Sequence, residues 1–171
     1  MNNSSKLCFL PSLDPDLLHE TLSGWQSSYP QMGVCAFLPE AQKDQLSLLQ
    51  ASCARLQIPL VGGIFPALIR NGMFYTDGLW LLRLDVMPFH ALYADLPRDA
   101  DSVERLANDM SAQIAGQLEG GTETTLFMLF DAMVPNIGTL LDNLYLQLAN
   151  RVHYAGANAG SETFAPMACL F

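Results

Sequence analysis

Residues 33–63 read GVCAFLPEAQKDQLSLLQASCARLQIPLVGG, and this stretch sets the architecture. Met32 to Leu38 is a continuous apolar run of strand length, closed by Pro39. Leu46, Leu49, Cys53 and Leu56 then recur at helical spacing, which predicts a helix over 41–57. Pro59 stops it, and Leu60 and Val61 begin a second strand that meets Gly62-Gly63. Strand, helix and strand in that order predict a βαβ crossover between parallel strands. The strands are apolar without alternation, as expected of strands covered on both faces.

The same order returns in residues 126–158, LFMLFDAMVPNIGTLLDNLYLQLANRVHYAGAN. Cys35 to Gly62 spans 27 positions, and Met128 to Gly156 spans 28. Two such units predict two crossovers feeding one parallel sheet; chance similarity of two ordinary βαβ units is the alternative. Ile137, Leu140, Leu144 and Leu148 line one side of a helix over 136–151, and His153 to Ala155 begins a last strand.

Upstream, Lys6 to Leu10 is a short strand ended by Pro11. Asp14 caps a helix with Pro15 at its first position, and Leu17, Leu18, Leu22 and Trp25 form its stripe. In the middle, Asn71-Gly72 predicts a hairpin. Asp77-Gly78 predicts a second antiparallel turn between Met73–Tyr75 and Leu79–Val86. Pro88 to Asp101 reads as a loop. Asp101 or Ser102 then caps a helix with Val103, Leu106, Met110, Ile114 and Leu118 on one face, ended by Gly120-Gly121. The fold class is α/β: a mixed sheet with parallel βαβ units and an antiparallel hairpin, helices packed on the sheet.

The 171 residues suit one domain with one core. Half of them are hydrophobic, which excludes a disordered chain. Only 15% are charged, against roughly 25% in average domains. The chain ends on the apolar PMACLF. Low charge and that end predict either a covering partner or missing half, or a terminal strand tucked into the sheet. The net charge of −9, with no Lys/Arg cluster, argues against nucleic acid or anionic lipid as a partner. The N-terminus lacks a secretory apolar core. Arg83, Asp85 and Pro88 break the most apolar stretch well short of the roughly 18 residues of a membrane span. A cytoplasmic location is expected. Cys8, Cys35, Cys53 and Cys169 are widely spaced and read as buried reduced thiols.

The stretches LCFLPS, VCAFLPEAQKDQLSLLQ, IPLVGGIFPALIRNGMFYTDGLWLLRLD, TLFMLFDAM and YAGANAGSETF follow one another in an order that resembles the FIST domain family, specifically its N-terminal domain. That family is a bacterial sensory module of intracellular signal transduction. The chain differs from the family pattern at VGGIFPALI and AGANAGSE, where Ala155 and Ser161 replace a Gly and an Asp. The resemblance implies one FIST-N-like domain over 1–171, a C-terminal partner domain lying outside it. It also implies a non-catalytic sensor for a small-molecule ligand, with a histidine kinase or diguanylate cyclase as output partner. Haem-based sensing of nitric oxide is a further implication, since some members are haem proteins.

The residues themselves point to two small-residue segments as candidate ligand-binding turns: Gly62, Gly63 and Phe65, and Gly156, Asn158, Gly160 and Ser161. Backbone near glycine admits a close ligand, and ligands favour the carboxyl ends of parallel strands. Asn158 and Ser161 supply hydrogen bonds and Phe65 an apolar wall. The alternative is that the glycines serve only tight turns or close strand packing. His19, His90 and His153 form no metal-binding spacing, and each is either a haem ligand or a structural imidazole. No G-x-S-x-G elbow exists, and Asp131 and Ser161 are the only thin leads to catalysis. A scaffolding subunit that forms a homodimer or docks on a signalling partner is the competing function.

Overall fold

The computed structural model describes residues 5–94, 96–118 and 123–171. Asp14 and Pro15 start α1 (Pro15–Ser28) as expected. The Asp14 carboxylate accepts the Asp16 and Leu17 N–H groups at 3.1 and 2.9 Å, satisfying two donors that the helix leaves unpaired. Leu18, Leu22 and Trp25 are buried along its inner face.

β1 (Leu7–Leu10), β2 (Gly33–Pro39), β3 (Leu60–Phe65) and β6 (Leu79–Leu84) form a mixed sheet in the order β1-β6-β2-β3. β2 and β3 run parallel, with Ala36 opposite Gly62 and Phe37 opposite Gly63. β6 is antiparallel to both β1 and β2. The crossover between β2 and β3 differs from the single helix predicted. Glu40–Gln45 is a 3-10 helix, and only Leu46–Arg55 is α-helical (α2). EAQKDQ buries no side chain, so packing holds an α-helix only from Leu46 onward.

The Asn71-Gly72 hairpin is present: β4 (Leu68–Arg70) pairs with β5 (Met73–Tyr75). Asn71 and Gly72 both take positive φ, 52° and 76°, as the tight turn demands. Asp77-Gly78 is not a hairpin turn. Gly78 (φ +93°) donates its N–H to Gln42 Oε1 at 3.2 Å and lies against the Phe9 ring. The corner sends β6 into the middle of the sheet, and β5 pairs with β4 alone.

On β6, Leu79, Leu81 and Arg83 alternate as buried residues. Arg83 is 1% exposed. Its Nε donates to Asp85 Oδ1 at 2.9 Å, and its guanidinium lies 3.7 Å from the Tyr29 ring centroid. Lys6 Nζ meets the other Asp85 oxygen at 2.7 Å. Both cations hold that carboxyl below its ordinary range, Lys6 foremost.

α3 (Ala100–Ala115) begins two to three residues earlier than the sequence suggests: Asp99, not Asp101 or Ser102, is the cap, accepting the Ser102 N–H at 2.9 Å. It closes on Gly116; the expected Gly120-Gly121 stop lies outside the described residues. The second βαβ unit is β7 (Thr125–Asp131), α4 (Ile137–Leu148) and β8 (His153–Ala159). The His153 N–H donates to the Thr124 carbonyl at 2.8 Å, and Gly156 stands against the Met128 carbonyl, so both strands run in one direction. They make a two-stranded sheet of their own rather than joining β2 and β3.

The chain divides into two compact units, Met1–His90 with Ala159–Phe171, and Ala91–Asn158. Where composition predicts one core, the buried apolar side chains gather into two clusters. Leu10, Leu18, Leu22, Leu49, Leu79 and Leu81 belong to the first; Val103, Ala107, Leu140 and Leu144 to the second. Full burial of a Leu contributes about 1.5–3 kcal/mol. The apolar end pairs with β3: Gly62 and Phe171 exchange N–H···O bonds of 2.7 and 3.2 Å, and Ile64 donates to Cys169 at 2.8 Å. Among the described residues, no helix is long and apolar enough to cross a membrane.

Candidate functional site

Gly62 and Gly63 lie inside β3, not in a turn after it. A Cβ on Gly62 would run into the Ala36 carbonyl of β2 and stand 2.7 Å from the Phe171 ring. One on Gly63 would sit 3.3 Å from the Phe65 ring and 3.4 Å from Ala159. The close approach of chain on both sides therefore requires glycine at 62, whereas at 63 a side chain would be tightly but not impossibly packed. Phe65 ends β3 and packs edge-on against Phe37, 5.7 Å between centroids.

Gly160 and Ser161 join them in the same unit. The Gly160 N–H donates to the Ile64 carbonyl at 2.8 Å, beside Phe65. Ser161 Oγ accepts the Thr163 N–H at 3.1 Å and lies 3.0 Å from the Thr163 hydroxyl. Glu40, the residue after β2, accepts the Glu162 N–H at 2.8 Å. That bond, with help from the Ser161 hydroxyl, holds the Glu40 carboxyl below its ordinary range. At the carboxyl ends of β2 and β3, where ligands of open α/β sheets sit, the chain thus places its own segment 160–163.

Gly156 and Asn158 belong to the other unit and lie within β8, again not in a turn. A Cβ on Gly156 would collide with the Met128 carbonyl, so this glycine serves the close β7–β8 pairing. Both residues line an open pocket of about 460 Å³ between this strand pair and α4. Met128, Phe130 and Leu141 give it an apolar lining. Tyr145 and Tyr154 form a corner with ring centroids 5.7 Å apart and planes at 51°. The Tyr154 hydroxyl donates to the Ala149 carbonyl at 3.1 Å, which fixes that ring. Burial, and secondarily Tyr145, pushes its pKa up, so it is a neutral phenol at pH 7. Asp142 and Asn158 supply the polar groups.

Sequence reasoning missed Asp142, Tyr145 and Tyr154. A signal existed: Asp142 and Tyr145 stand three apart, off the Leu140–Leu144–Leu148 stripe, and Tyr154, Gly156 and Asn158 alternate along β8.

The other leads lie outside this pocket, and three of them make local contacts. Asp131 Oδ1 accepts the Met133 N–H at 2.8 Å, closing a turn at the end of β7. His90 Nδ1 lies 3.0 Å from the Pro88 carbonyl, and His19 Nδ1 lies 3.4 Å from Arg55. All three histidines are exposed, and none lines the pocket, so its lining does not fit a histidine-ligated haem. Cys35, Cys53 and Cys169 are buried and Cys8 half-buried, all as free thiols. Burial pushes Cys35 and Cys53 up to about 11, which makes them poor nucleophiles. Among the described residues, no group of three or more His, Cys, Asp or Glu could hold a metal ion.

A mixed sheet with a parallel βαβ core and a second βαβ unit define the α/β class of domain. The FIST N domain model matches residues 33–170, and the chain belongs to that family of signal-transduction sensory domains. Searches of characterised proteins and of solved structures gave no significant match.

Proposed function

We propose that this chain is a non-catalytic sensory domain that binds a small molecule in the pocket lined by β7, β8 and α4 and relays its occupancy to a signalling partner in the cytoplasm. Residues 1–171 act in this reading as one FIST-N-like domain. The pocket carries the proposal: it has the volume of a metabolite site, an apolar lining and a few convergent polar groups. Gly156 and Asn158, singled out as ligand-binding candidates, lie in it. The remaining candidates, Gly62, Gly63, Phe65, Gly160 and Ser161, hold the β3 edge in this reading. Thermal unfolding over a metabolite library tests it. At least one compound raises the Tm of the native chain, and Tyr145→Ala abolishes that rise. A library that stabilises nothing, or stabilises both proteins alike, defeats the reading.

A second observation favours an interaction surface alongside the sensor. Ile69, Met73 and Phe74 on the β4–β5 hairpin are 62%, 64% and 77% exposed. Apolar side chains grouped in this way mark docking surfaces for a partner or a second copy. Sedimentation velocity over a concentration series reads self-association, which Phe74→Ser weakens. A native chain that stays monomeric throughout removes the homodimer.

A further inference from the structure

We propose that the β7–β8–α4 pocket selects an organic ammonium ion: a monocation with an apolar body and no carboxylate. The proposal rests on the reading of this pocket as the sensory site and adds the chemistry of its ligand. Tyr145 and Tyr154 place two π systems in one corner, 5.7 Å between centroids. Each ring attracts a cation through its quadrupole. The Ala149 carbonyl holds the Tyr154 hydroxyl, so that ring is ordered before any ligand arrives.

Asp142 lies three residues before Tyr145 on α4, on the same face, and among the described residues is the lone carboxylate of the lining. Among the described residues, the lining contains no Lys, Arg or His. A carboxylate ligand would therefore meet repulsion from Asp142 with no cation to offset it, whereas an ammonium finds both the anion and the rings. The surrounding sequence has the same bias. Residues 91–158 contain nine acidic and three basic residues, and no lysine. That excess raises the local concentration of cations and repels anions. Met128, Phe130 and Leu141 then accommodate the hydrocarbon body.

Calorimetric titration of the full chain with three probes of one skeleton tests the proposal: phenethylammonium, phenethyl alcohol and phenylacetate. Phenethylammonium binds about tenfold more tightly than the alcohol, and phenylacetate most weakly. Asp142→Asn removes most of that preference, while Asp142→Glu keeps it. Tyr154→Leu weakens ammonium binding about threefold or more. Added salt narrows the gap between ammonium and alcohol, because Asp142 is exposed to solvent. If the alcohol or phenylacetate binds as tightly as the ammonium at a site lost in Tyr145→Ala, the charge selection is wrong and the pocket stands. A preference undiminished in Asp142→Asn also overturns the proposal. Should all three probes be too weak to titrate, the charge of the library compounds that stabilise the native chain but not Tyr145→Ala decides in the same way. A library with no Tyr145-dependent binder overturns both this inference and the sensory reading beneath it.

Discussion

At the scale of single residues, glycine does different work from what its place in a motif suggests. Gly62 and Gly156 each sit in a strand whose neighbour's carbonyl occupies the space of a side chain. For Gly62 the Phe171 ring closes the other side. Gly62→Val must displace the β2 backbone or the returning C-terminal segment. Overpacking of this kind costs about 1–3 kcal/mol, and the upper end is expected where backbone is the obstacle. Urea unfolding should show a lower midpoint at unchanged m value. An unchanged midpoint would mean that the segment around Phe171 yields freely. Nothing in V-G-G distinguishes a strand glycine from a turn glycine, because the obstacle is supplied by residues far along the chain. The sequence therefore left two roles open for these glycines, a ligand-binding turn or close strand packing, and could not choose between them locally.

Elements formed by local rules were the ones legible in advance. Asp14-Pro15 starts α1, Asn71-Gly72 turns the hairpin, and the apolar runs around α2 and α4 give two βαβ units. Pairing between distant elements was not legible. β6 inserts between β1 and β2, and β7–β8 forms a separate sheet, because strand edges carry no address in their own residues. The tie between the end of β2 and segment 160–163 is of this long-range kind. Glu40 accepts the Glu162 N–H across 122 positions. Its carboxyl is held below the ordinary range, so the tie is fully present above the unfolded-state pKa and is lost as pH falls through the lowered native value. The Glu162 amide resonance should therefore move in acid, below the usual range of a glutamate, and Glu40→Gln should remove that transition. An amide that titrates identically in both proteins would show that Glu40 does not hold the turn.

For the molecule as a whole, the sequence's two candidate segments end in different surroundings. The carboxyl ends of β2 and β3 are filled by the chain's own Ser161, Glu162 and Thr163, bonded to Glu40 and to one another. The β7–β8–α4 pocket is open and lined by rings. Family membership and the α/β class were legible from the order of short motifs, and the pocket was reached only through Gly156 and Asn158. Its stronger determinants, Tyr145 and Tyr154, lie on a helix and a strand legible as one βαβ unit, but the contact between the two rings depends on how the helix packs on the strand, which spacing alone does not give. Residue-resolved NMR of the full chain, titrated with a compound that raises its Tm, separates the two places directly. The account predicts that shifts concentrate at Tyr145, Tyr154, Gly156 and Asn158. Shifts centred instead on Gly62, Gly63, Phe65 and Ser161 would contradict it and return the ligand to the carboxyl edge of the parallel pair.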